Sequence, residues 1–162
     1  MQMNNQESGR TMMEMIGVIA IIGVLTVGAI STVNFGLESF RVSSAFSLVE
    51  TTAGSVSDLY SWKREFPLPA QAKSMRDKIC ANKVFDDPCD ETEESRAKVT
   101  TSWGFLYVEP EDESSFKITL TNVPYMACNQ LLDMKWTNVT LQEDFHCSED
   151  ENSKTDMIFF GN

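Results

Sequence analysis

Residues 9–33 read GRTMMEMIGVIAIIGVLTVGAISTV, and the nineteen residues from 15 to 33 carry no charged side chain. At a rise of about 1.5 Å per residue, a helix of that length nearly crosses a hydrocarbon layer of about 30 Å. No other stretch of the chain could span one. Ahead of the run stand MQMNNQESGR, in which Arg10 is the only basic side chain, then Thr11, Met12, Met13 and a lone acid, Glu14. Positive charge on a short flank favours the cytoplasmic side, so the short end is expected there.

Three readings compete for this segment. A cleaved secretory signal would use residues 15–27 as its apolar region and be cut near Val27-Gly28-Ala29, but it needs a basic start, and Glu14 stands where that start should be positive. A plain membrane anchor explains the length and leaves Glu14 unexplained, since an acid within the bilayer costs roughly 3 kcal/mol and marks a functional pairing. The third reading, a family resemblance carried by residues 9–14 and the run after them, explains both.

Beyond Val33 the apolar residues thin to Val42, Phe46, Val49, Ala53, Val56 and Tyr60, in alternating steps of four and three. That spacing is a helical seam. Glu38, Arg41, Ser43, Ser47 and Glu50 form its polar face, and no proline occurs before Pro67. One helix is therefore expected from about residue 11 to about residue 62, some 75 Å long. Residues 62–69, WKREFPLP, end the pattern with two prolines and a charge cluster.

The remainder reads as a small mixed domain. Residues 70–85 suggest a short helix with Met75 and Ile79 on one side. Residues 99–110 and 115–124 alternate β-branched and aromatic residues around the acidic turn Glu111-Asp112-Glu113-Ser114, as an antiparallel hairpin does. A helix is expected over residues 125–136, with Met126, Cys128, Leu131 and Met134 at near-helical spacing, then brief strands over 139–141 and 156–160. The fold class is α+β: a long amino-terminal helix packed against a carboxyl-terminal antiparallel sheet.

The 162 residues amount to one modest domain and an appendage, which excludes a multidomain enzyme. Thirteen Lys and Arg against 24 Asp and Glu give a net charge of -11, so nucleic acid is repelled and is not expected as a partner. Cys80, Cys89, Cys128 and Cys147 all lie in the polar part of the chain, as in a domain stapled in an oxidising compartment; four cysteines permit three connectivities.

Gly9-Arg10-Thr11-Met12-Met13-Glu14, followed at once by the apolar run, resembles the processing site of type IV prepilins and pseudopilins. The resemblance implies that a prepilin peptidase cuts after Gly9 and N-methylates Arg10, and that Glu14 occupies the fifth mature position, where the family keeps its glutamate. Arg10 stands where relatives usually have Phe, Met or Leu, the leader has no basic residue, and the mid-helix proline of many relatives is missing, with Gly23 and Gly28 left as weak points. Trp103-Gly104, strand, turn, strand, Asn122-Val123-Pro124, then Ala127-Cys128 with Leu131 is similar to the head of type IVb pilins and their minor subunits. Together the two motifs cover most of residues 9–132. The head resemblance favours pairing Cys128 with Cys147, which leaves Cys80 with Cys89.

The implied organisation is a lollipop: leader 1–9, membrane and assembly half 10–34, amphipathic half 35–62, and stapled head 63–162. Its implied function is that of a pilus subunit, major or minor, held in the bacterial inner membrane as a precursor and then built into an extracellular filament, alone or with other pilins, by an inner-membrane assembly platform. A pseudopilin of a short secretion piston and a non-polymerising anchored periplasmic domain are the alternatives.

Catalytic patterns are absent. The single histidine, His146, adjoins Cys147, yet no C-x-x-C, H-E-x-x-H, G-x-S-x-G, P-loop or G-x-G-x-x-G occurs, so neither an enzyme, a metal site nor a cofactor is expected. The acidic runs at 86–94, 109–113 and 149–151 read as solvated loops, the first having Pro88 and Cys89 where a calcium loop needs ligands and a central glycine. Asn138-Val139-Thr140 matches a glycosylation sequon by chance, and Trp62, Trp103 and Trp136 read as core residues.

Overall fold

The computed structural model describes residues 7–62, 65–85, 96–148, 150 and 153–162, and in the first helix the side chains of 12–27, 33 and from 36 onward. In chain order the elements are α1 (Glu7–Ser61), a 3-10 turn (Pro69–Gln71), α2 (Ala72–Ala81), β1 (Ala97–Thr100), β2 (Phe105–Pro110), β3 (Phe116–Pro124), α3 (Tyr125–Leu132), β4 (Thr140–Leu141) and β5 (Lys154–Gly161). The strands form one five-stranded sheet in the order β1-β2-β3-β5-β4, with every neighbouring pair antiparallel. The protein is α+β. It divides into two compact units, Met1–Phe40 and Arg41–Asn162, with the break inside α1.

In the second unit, α1 buries Val42, Ala45, Val49, Thr52, Ala53, Val56 and Tyr60. Apart from the adjacent Thr52 and Ala53, these are steps of three and four, which turn one face toward the core. Ala45 takes the buried place expected for Phe46, because the seam drifts by one residue around the helix; Phe46 lies half-buried beside it, its ring 4.7 Å from that of Trp136. Glu50 also leaves its expected solvent role. Its carboxylate accepts the N–H groups of Thr137 at 2.7 Å and Asn138 at 3.2 Å, while the Asn138 amide donates to the Glu50 carbonyl at 3.2 Å.

The strands bury alternate residues, as a sheet covered on one face must. Leu106 and Val108 of β2, Phe116, Ile118 and Leu120 of β3, and Met157 and Phe159 of β5 join the α1 seam, Met75 and Ile79 of α2, and Leu131 of α3 in a single core. Residues 99–110 do not form one strand, as expected from their alternation. The chain reverses at Thr101–Gly104, where Thr101 N–H donates to the Gly104 carbonyl at 2.9 Å, and β1 folds back so that Ala97 faces Val108. The third helix stops at Leu132, short of the expected 136, and Met126 points outward with 65% exposure.

The last strand lies between β3 and β4, so the carboxyl-terminal residues complete the sheet interior. Phe116 is paired with Gly161, and a Cβ at 161 would lie 2.2 Å from the Phe116 ring. Gly161→Ala is expected to destabilise the folded chain by about 1–3 kcal/mol through overpacking. Gly54 has only one neighbour near a notional Cβ, Asn138 Nδ2 at 3.5 Å, so Gly54→Ala should be neutral or stabilising by up to about 1 kcal/mol, as expected for helix interiors. Denaturant unfolding of the detergent-solubilised chain measures both.

Candidate functional site

In the amino-terminal unit, the large apolar side chains between Met12 and Val27 range from 55% exposed at Val18 to 80% at Met13. They surround the helix instead of forming a stripe. A helix that is apolar on all sides is stable where its surroundings are apolar as well. Glu14 stands exposed among Met12, Met13 and Met15. Thr26, the polar side chain farther along, satisfies its hydroxyl internally by donating to the Ile22 carbonyl at 2.6 Å, which needs no water. Among the described residues no helix is long and apolar enough to cross a membrane. The apolar run is described as far as Val27, and side chains 28–32 lie outside the described set.

Gly9 and Arg10 fall in the opening turn of α1. Helix ends open at little cost, so a bond between these residues is more readily presented to a peptidase than one deeper in the helix. Glu14 follows Arg10 by four positions in the sequence. A cut between Gly9 and Arg10 would bring Glu14 near the new helix start, where the macrodipole favours an acid.

The head motif converges on a bulge. Asn122 has φ 59 and its N–H donates to Asp156 Oδ1 at 2.9 Å, while the β3 to β5 register shifts between Leu120 and Val123. On the other edge of β3, just past the Leu106 and Leu120 pair, the Thr121 hydroxyl accepts from Phe105 N–H at 2.9 Å and donates to the Phe105 carbonyl at 3.1 Å, tying β2 to β3. A side chain at Gly104 would start 2.7 Å from Thr121 Oγ1 and 2.8 Å from its carbonyl, so this position needs glycine. Cys128 and Cys147 form a disulfide with 5.9 Å between their Cα atoms, fastening α3 to the segment that leads into β5. Cys80 is also disulfide-bonded; its expected partner Cys89 lies outside the described residues.

The remaining candidates have structural roles or no visible partner set. His146 is exposed, and the neighbouring Cys147 sulfur is committed to its disulfide. No group of three or more metal-binding side chains occurs among the described residues. Glu109 and Glu111 hold Lys117 Nζ at 2.8 and 3.3 Å, and the Glu109 hydrogen bond keeps that ammonium above its ordinary pKa. Hydrogen bonds from the Ser114 N–H and hydroxyl hold Asp112 below the usual carboxylate range. The acidic run at 86–94, and residues 149 and 151, lie outside the described residues. Trp136 is clamped between Phe46 and Phe159, and Trp103 is half-buried. Trp62 departs from the core expectation: it follows the last seam residue and is 93% exposed.

Sequence reasoning missed Glu50 because its partners lie some ninety positions further along the chain, beyond any local signal. Compared with protein-family models, curated proteins and solved structures, the chain matches none. The disulfide closes a separation of 19 residues, and replacing Cys128 and Cys147 together by Ala should cost about 2–4 kcal/mol and lower the melting temperature by several degrees. An unchanged thermal melt would show that the bridge does not restrain the head.

Proposed function

We propose that the chain is a non-enzymatic structural subunit, major or minor, of a type IVb-like pilus. Its carrying observation is the stretch of α1 from Met12 to Val27, whose apolar side chains are exposed around the whole circumference and which carries one acid, Glu14, near its start. In this reading a prepilin peptidase cuts between Gly9 and Arg10 and methylates Arg10. The helix waits in the inner membrane with its head in the periplasm. An inner-membrane assembly platform then moves it into an extracellular bundle with copies of itself or other pilins.

The driving principle is an exchange of apolar surroundings. Lipid tails and neighbouring helices solvate Ile and Val side chains alike, so the hydrophobic effect alone does not favour the bundle. Packing and polar pairing decide the arrangement. A Glu14 carboxylate in such a bundle is stable only beside a positive group, and the α-amino group freed at Arg10 supplies one, on its own helix or a neighbour's. That pairing fixes the stagger of successive helices, while the acidic heads stay in water.

Glu14→Ala should leave the monomer membrane-bound and its head folded while removing most of the filament, because breaking a buried charge pair costs about 3–5 kcal/mol at each contact. Electron microscopy of sheared filaments, with immunoblots of the membrane fraction, reads both quantities. Filaments at parental yield and normal register would contradict the pairing.

A further inference from the structure

Where the sheet ends beside the β2 to β3 turn, Ser114, Ser115, Thr140, Phe160, Gly161 and Asn162 line a cavity of about 320 Å³. In the sheet register Phe160 lies between Thr140 of β4 and Lys117 of β3, and it is half-buried, so it belongs to the wall of this cavity and not to the core. None of the six residues has a charged side chain, in a chain whose net charge is -11.

The hydroxyl protons of the lining are already committed. The Ser114 N–H at 2.7 Å, the Ser114 hydroxyl at 2.8 Å and the Ser115 hydroxyl all donate to Asp112 and hold it below the usual carboxylate range. Asp112 is therefore ionised at neutral pH and can only accept. Thr140 Oγ1 donates to the Phe160 carbonyl at 3.3 Å, another group that only accepts. A hydroxyl has one proton and two lone pairs. Ser114, Ser115 and Thr140 thus have only acceptors left for a ligand.

That pattern selects the ligand class. An anion brings no donor and meets the net negative charge of the chain. A sugar brings donors but no charge. An alkylammonium ion brings three donors to three acceptors, a positive charge to a cavity whose two serines are bonded to an ionised acid, and a cation to the Phe160 ring. Lys117, the cation next along the sheet, does not supply that charge, because Glu109 holds it at 2.8 Å and Glu111 at 3.3 Å. We infer that this cavity binds a small primary ammonium ion, with its N–H groups on the Ser114, Ser115 and Thr140 oxygens and its charge against the Phe160 ring. The inference stands on the head alone and does not require the chain to polymerise.

The test titrates propylammonium into the full chain in a non-ionic detergent, at an ionic strength held constant with sodium, with propionate and glucose as comparators. NMR follows the Thr140 methyl group and the Phe160 ring, with Tyr107 of β2 as a reference outside the lining. Propylammonium should give saturable shifts at Thr140 and Phe160 and none at Tyr107, and the two comparators should give none at the same concentration. Thr140→Val, which keeps the shape and removes the oxygen, and Phe160→Leu should each weaken binding at least about threefold, the scale of one neutral hydrogen bond or one exposed cation–ring contact. Thr140→Val decides the matter alone if Phe160→Leu does not fold. No saturable shift, equal binding of glucose or propionate, shifts of the same size at Tyr107, or undiminished binding in Thr140→Val would overturn the inference.

Discussion

The first constraint on this protein is an apolar stretch of helix, Met12–Val27, whose side chains are exposed. Side chains from Met12 to Val27 face outward on every side, and each square ångström of such surface is disfavoured in water by about 25 cal/mol. Two surroundings remove that cost equally well: a lipid layer and a bundle of similar helices. On the pilin reading, a subunit that passes from one to the other needs little net energy and a small polar interaction would choose its register; Glu14, directly before the run, is the residue that reading assigns to it.

The head obeys a different constraint. With the seam of α1 as one wall, the sheet must present a continuous apolar face, and it does so only when β5 enters between β3 and β4. Gly161 permits this by leaving room for the Phe116 ring, and the Cys128–Cys147 bridge holds the segment leading into β5 against α3. Phe66 extends the same logic to the end of α1. Its ring stacks between Tyr60 and Phe116, and its N–H bonds the Glu113 carbonyl of the β2 to β3 turn.

Periodicity made part of this visible in advance. The seam of α1, the inward pair Met75 and Ile79, the turn at 111–114 and the strand at the tail follow from spacing that a local window contains. Strand order does not, because the residues of β5 alternate in the same way whether the strand lies at an edge or in the centre. The break at Thr101–Gly104 was hidden for a related reason: Gly104 is required by Thr121, a residue in another strand. Phe46 was misplaced by one position because helical spacing sets a face but not its edges. For the amino-terminal segment, sequence starts the helix near residue 11, whereas α1 begins at Glu7 and already contains Gly9 and Arg10; the processing of these residues and their pairing with Glu14 rest on family resemblance.

The most direct measurement is the intact mass and first residue of the protein taken from native membranes or sheared filaments. The account predicts a chain that begins at Arg10, carries a methyl group on its amino terminus and retains the whole apolar helix. A chain that begins near Ile30, with the helix discarded during export, or one that still starts at Met1 within assembled filaments, would contradict it.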